Sequence, residues 1–191
     1  MKKLFVATLI FLIALPCAFA DWQIWKSGQN AQAAGYQFTV PKGWTGVDRE
    51  YFIVFLPPEN PSRGIILLYP VELPSGDIEK QALSVLNDYV TGQAKTPPQI
   101  SKPLRERFEN GVEYVSAYTN YTDEKLGDVF LAVFAREQKG AVGIMLFLAQ
   151  KKEVQQLLPD AIHLFAYLNL TDNAKELAAA RARRGNLDKS Q

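Results

Sequence analysis

Asn110-Gly111-Val112-Glu113-Tyr114 opens the stretch that decides the fold. Asn-Gly is the strongest short signal for a tight hairpin, because both residues tolerate positive φ. Leu104 to Phe108 leads into it as a short strand, and Val112 to Tyr121 leaves it as a long one. Asp123 to Asp128 follows as a polar turn around Gly127, then Val129 to Ala135 as a strand. Gln138-Lys139-Gly140 turns the chain again into Ala141 to Leu148. Strands joined by turns this short cannot cross over, so they run antiparallel, as a meander.

Outward from the meander, the pattern changes period. Upstream, Tyr36-Gln37-Phe38-Thr39-Val40 alternates as a half-buried strand, and Pro41-Lys42-Gly43-Trp44 turns. Tyr51 to Leu56 and Ile65 to Tyr69 are apolar runs separated by Pro57-Pro58 and Asn60 to Gly64. Ser75-Gly76-Asp77 is helix-start chemistry, with Ile78, Ala82, Val85, Leu86 and Tyr89 on one face and Gly92 as the stop. Downstream, Lys151 to Leu168 carries a helical stripe of Val154, Leu157, Leu158, Ile162, Phe165 and Ala166. Pro159 interrupts it, which predicts a kink or two abutting helices. Asn173 with Glu176 forms a capping box for an Ala-rich tail, Ala174 to Arg184, ending at Gly185. The fold class is α+β, a central antiparallel sheet with helices packed on it. One domain spans residues 36–170, after a polar lead 21–35 and before a basic helical tail 171–191.

The first twenty residues are a signal peptide in pattern. Lys2 and Lys3 precede an apolar run from Leu4 to Ala14, Pro16 ends it, and Ala18-Phe19-Ala20 offers the small residues of a cleavage site. The run is too short for a comfortable membrane span, which takes about 20 apolar residues. An uncleaved anchor fits less well, and Pro16 before Cys17 argues against a lipidated cysteine. Cleavage after Ala20 places the protein in the periplasm or outside the cell, with no stable span left. It also removes Cys17, the single cysteine, so disulfides and thiolate chemistry are excluded from the mature chain. Loss of Lys2 and Lys3 takes the formal charge from +1 to −1, which gives no steering toward nucleic acid.

Phe38-Thr39-Val40-Pro41-Lys42-Gly43-Trp44 resembles the "strand, Val-Pro, x-Gly/Asp-Trp" opening of PsbP-like domains. The later block is similar too: Asn110 to Tyr114, then Val142 to Ala149, then a helix ending near Phe165-Ala166-Tyr167-Leu168. Ala166-Tyr167 stands where family members commonly have a Ser-Phe pair, a departure. The superfamily includes the extrinsic photosystem subunit, a Ran-binding nuclear import factor and bacterial exported proteins. The resemblance covers about Tyr36 to Leu170 and implies an αβα sandwich. It implies no single activity, and none of the family's functional residues has a match here.

Residues for catalysis are sparse. His163 is the sole histidine and sits beside core positions of the last helix, which favours an edge role over a triad. One histidine and, after the expected cleavage, no cysteine rule out an ordinary zinc set. Asp123, Glu124 and Asp128 crowd one turn and are weak candidates for calcium, although Lys125 lies among them and the spacing is not an EF-hand's. Glu106, Glu109 and Glu113 flank the hairpin as carboxylates for hydrolysis, with surface charge as the simpler reading.

Aromatics remain. Tyr114 and Tyr118 share one strand parity and Tyr121 has the other, so the first two face the same way. Core packing explains most of them. Trp22 and Trp25 precede the domain and are harder to place in a core. Trp22, Trp25, Tyr114 and Tyr118 are thus the candidate ligand- or partner-binding residues. The expected function is an exported non-enzymatic accessory protein with an unidentified protein partner and no cofactor. The alternative is a periplasmic small-ligand or lipid binder with an aromatic-lined pocket, and behind it a hydrolase using carboxylates.

Overall fold

The computed structural model describes residues 23–49, 52–58, 60, 63–74, 76–91, 98–123, 125–171, 179 and 182. The signal peptide expected over 1–20, Trp22 and Glu124 lie outside them. Of the tail beyond Thr171, only Ala179 and Ala182 are described, both helical and exposed.

In chain order the strands are β1 (Ile24–Trp25), β2 (Asn30–Ala33), β3 (Tyr36–Thr39), β4 (Thr45–Asp48), β5 (Ile53–Leu56) and β6 (Gly64–Leu68). Helix α1 (Ile78–Thr91) follows, then β7 (Leu104–Arg107), β8 (Glu113–Asp123), β9 (Gly127–Gln138) and β10 (Ala141–Gln150). A 3₁₀ turn at Lys151–Glu153 leads into α2 (Val154–Tyr167) and β11 (Asn169–Leu170). Eight strands make one antiparallel sheet in the order β1-β4-β5-β6-β10-β9-β8-β7. A second sheet of three has the order β11-β3-β2.

The expected meander is present. Val115 sits opposite Ala135, and Ala141 opposite Gln138, across the β8-β9 and β9-β10 ladders. Alternation along these strands sends side chains to two separate cores. On one face, Ala82, Val85, Leu86 and Val90 of α1 pack on Val115, Ala117, Leu131, Val133 and Leu146. On the other, Leu157, Ala161, Leu164 and Phe165 of α2 join the small sheet over Ile66, Phe134, Met145 and Phe147. The main sheet therefore has one helix on each side, an αβα sandwich.

Asp77 caps α1 as expected. Its Oδ1 accepts from the backbone N–H groups of Glu79 and Lys80 at 3.1 and 3.3 Å. The Lys80 amide hydrogen bond holds the Asp77 carboxyl below the usual carboxylate range.

Three expectations are corrected. Residues 24–33 of the polar lead expected over 21–35 belong to the sheets: β1 pairs with β4 and β2 with β3. Trp25 is 1% exposed, in edge-to-face contact with Phe38 at 5.3 Å, so it is a core residue and cannot meet a partner. Helix α2 runs unbroken through Pro159, so no pair of abutting helices forms there. Pro159 is exposed, where water can take the carbonyl its missing N–H leaves free. The change of helical type comes earlier, at the Glu153–Val154 junction.

Two polar anchors set α2 on the sheet. Trp44 Nε1 donates to Asp160 Oδ2 at 2.8 Å, and Arg63 pairs with Glu153 at 2.7 Å. At the far end Arg136, 1% exposed, donates to the carbonyls of Ala166 and Leu168 and lies over the Phe165 ring at 5.6 Å. Burial lowers its pKa to about 10, which still leaves it charged at neutral pH. Its cation thus meets the negative end of the helix dipole.

Candidate functional site

Strand β8 decides which aromatics reach solvent. Tyr114, Ser116, Tyr118 and Asn120 turn toward the α2 side, and Val115, Ala117, Thr119 and Tyr121 toward α1. The parity read from sequence is the parity of the strand. Helix α2 covers only part of its face, so the two tyrosines have different fates.

Tyr114 is half-buried. Its ring stacks on Phe108 with centroids 3.9 Å apart and lies 6.1 Å from Phe134. Burial first, then the Glu106 carboxylate that its hydroxyl meets, push its pKa up to about 12. Glu106 also accepts from Ser116 Oγ at 2.8 Å. Tyr118 is 44% exposed and stacks on Phe130 at 5.7 Å, and Phe130 lies 6.3 Å from buried Phe147. Its exposed ring is therefore the outer end of an aromatic series rooted in the core.

Beside it stands Leu104, 52% exposed on β7. Leu104 is opposite Ser116, so it shares the face of Tyr118 and lies on the diagonal, a separation of about 7–8 Å. The chain just before β7 continues along β8: Ser101 N–H donates to Tyr118 O, and Tyr118 N–H to Ser101 Oγ, both at 2.9 Å. Ser101 on one side and the β9 ladder on the other thus hold the strand in place at Tyr118. Leu104 was missed in the sequence because Leu-Arg-Glu-Arg reads as a charged edge. The one available signal was an apolar residue starting a strand with charge at every other position.

On the opposite face a polar groove of about 420 Å³ runs between the start of α1 and β7, lined by Asp77, Glu79, Arg105 and Glu137. Arg105 Nε reaches Glu79 at 2.7 Å and spans it. A neighbouring groove holds Arg107 and Glu113, which pair with each other. The first groove is ionic; the second mixes its charges with Ile78, Val115 and the ring of Tyr114, a single aromatic where an aromatic-lined lipid pocket was expected.

The acids do not converge. Glu106 and Glu113 sit opposite Tyr114 and Arg107, at positions of opposite parity, so they point to opposite faces. Glu109 is exposed at the hairpin. Asp123 Oδ1 is used by its own turn, accepting from the N–H groups of Lys125 and Leu126 at 2.8 and 2.9 Å. Asp128 Oδ1 accepts from Thr122 Oγ1 at 2.9 Å, on the other face. Among the described residues no three His, Cys, Asp or Glu are grouped to hold a metal ion. His163 is exposed, with its ring 4.6 Å from Tyr167. Among the described residues no helix is long and apolar enough to cross a membrane.

An antiparallel sheet between two helices is a fold shared with solved PsbP and Mog1 structures. In particular, the chain is similar to PsbP (CyanoP) of Synechocystis, at 13% identity and a TM-score of 0.53, covering 82% of this chain and 96% of that one. A mutant of Mog1 matches at 9% identity and a TM-score of 0.50, over 79% of this chain and 100% of that one. The Ran-binding protein Mog1p of Saccharomyces cerevisiae matches at 10% identity and a TM-score of 0.47, over 76% and 97%. No protein-family model and no curated protein matches the chain. Identities this low speak for shared fold.

Proposed function

We propose that this chain is an exported, non-enzymatic accessory protein that binds another protein through the Leu104–Tyr118 face. One observation carries the reading: two large apolar side chains stand about half exposed, side by side, on a sheet whose backbone is pinned. An aromatic ring that is amphipathic, rigid and backed by the core is the kind of residue that anchors interfaces. Tyr114 and Glu106 form the polar margin of the same face. Export rests on the signal pattern of residues 1–20. The scattered carboxylates and the exposed His163, set beside the Tyr167 ring, fit binding better than acid-base chemistry.

The test is site-specific photo-crosslinking in the cell envelope. A crosslinker replacing Tyr118 is expected to trap a defined protein, and one replacing exposed Asn87 on α1 is not. Leu104→Asp should abolish the Tyr118 product with the melting temperature unchanged. No adduct at Tyr118, or the same adducts at both positions, would overturn the reading. N-terminal sequencing of the exported protein should begin at Asp21, and a retained Met1 would remove the export half of it.

A further inference from the structure

We propose that β2 is a self-pairing edge, by which two copies of this chain associate about a two-fold axis at Ala31 and join their three-stranded sheets. Strand β2 ends the small sheet, with β3 on one side and, among the described residues, no strand on the other. The hairpin between them closes through Ala34 and Gly35, at φ 50° and 87°, the two positive values of a two-residue type I′ turn. Its flanking pair Ala33–Tyr36 must therefore be a hydrogen-bonded pair, and alternation makes Ala31–Phe38 the next. Val40 N–H donating to Gln29 O at 3.0 Å continues the same parity. The backbone groups of Asn30 and Gln32 consequently point away from β3. Among the described residues no hydrogen bond reaches their main-chain N–H groups.

An open edge needs a partner strand or a means of repelling one. The edge strand β7 repels: three of its four residues, Arg105, Glu106 and Arg107, are charged. Strand β2 reads Asn-Ala-Gln-Ala, with no charge and no proline. A two-fold axis sets every residue against its own copy or a near neighbour's, so an uncharged edge is what a second copy requires. An axis at Ala31 puts Asn30 opposite Gln32 of the other copy, and Gln32 opposite its Asn30. Both pairs are hydrogen-bonded in type, so four main-chain bonds close at once. The faces also agree. Ala31 and Ala33 pack against the core of their own copy, and Asn30 and Gln32 are exposed on the outer face. Asn30 Oδ1 accepts from Thr39 Oγ1 at 2.7 Å, which leaves its amide N–H groups to donate to Gln32 across the axis.

The experiment is sedimentation velocity of the mature chain over a wide concentration range. The wild type should pass from monomer to dimer. Asn30→Lys with Gln32→Lys places lysine against lysine at both pairs, and should weaken the dimer at least about tenfold. Asn30→Lys with Gln32→Glu places lysine against glutamate at both, and should keep the dimer or tighten it. All three substitutions are on exposed side chains, and circular dichroism checks that each variant folds. A wild type that stays monomeric throughout overturns the proposal, even if it binds an added extended peptide. A dimer that the double lysine leaves unchanged forms elsewhere, and overturns it too. A lysine–glutamate variant as weak as the double lysine would mean another register, and the axis at Ala31 would be wrong.

Discussion

Gly143→Ala tests how tightly the small sheet sits on the large one. A Cβ at Gly143 would lie 2.8 Å from Leu170 Cδ2 and 3.1 Å from Tyr36 Cε1. Carbon atoms in packed interiors prefer about 3.5–4.0 Å, so both contacts overlap. The Tyr36 ring is fully buried, and its hydroxyl accepts from Ile144 N–H at 3.1 Å, so moving it breaks a buried bond. Leu170 must give way instead, although Gln138 Oε1 holds its N–H at 2.9 Å. Overpacking of this kind costs about 1–3 kcal/mol. Leu170→Ala alone should cost about 2–5 kcal/mol through the cavity it leaves. Together the two changes should cost less than their sum by about 1 kcal/mol or more, because the new methyl fills part of that cavity. Urea denaturation followed by tryptophan fluorescence reads all three values, with slopes unchanged. Gly143→Ala within about 0.5 kcal/mol of wild type, or strict additivity, would refute the contact.

Asp77→Ala should lower the melting temperature by uncapping α1. Because folding depresses the Asp77 pKa, its contribution is present above the unfolded value and lost as pH falls through the folded one, so wild type and variant should converge in acid. Tyr114 behaves oppositely. Its pKa rises from about 10 when unfolded to about 12 in the fold, so the stability it lends is complete below the lower value and lost between the two. Over that window wild type should lose stability relative to Tyr114→Phe, followed by tyrosinate absorbance; parallel curves would contradict the assignment. Arg105→Ala, which breaks only an exposed pair with Glu79, should change stability by less than about 1 kcal/mol in chemical denaturation.

The β8-β9-β10 meander was legible because each strand is long, alternates regularly and is bounded by Gly127, Gly140 or Asn110-Gly111. Helix α1 was legible from its Asp77 cap and its apolar spacing. Strands β2 and β4 were not, since Asn-Ala-Gln-Ala and Thr-Gly-Val-Asp carry little strand preference of their own. Their partners β3 and β5 impose the conformation on them. Trp25 was misjudged for a related reason: β1 is two residues long and shows no period, so nothing local reveals which face is buried. At the site, parity placed Tyr114 and Tyr118 correctly. Their difference in exposure depends on where α2 lies across the sheet, which no local pattern contains.

The pairing of β6 with β10 has a consequence in time. Gly64 to Leu68 meets Met145 to Ala149, and this ladder is the seam that joins the first half of the main sheet to the second. The meander closes on itself through near neighbours, but β6 must wait for a strand made some eighty residues later. Such distant pairings form slowly. Until β10 arrives, Gly-Ile-Ile-Leu-Leu is an open, uncharged, apolar edge on a growing chain. It is the segment most exposed to wrong partners during synthesis, and the one a chaperone would have most reason to hold.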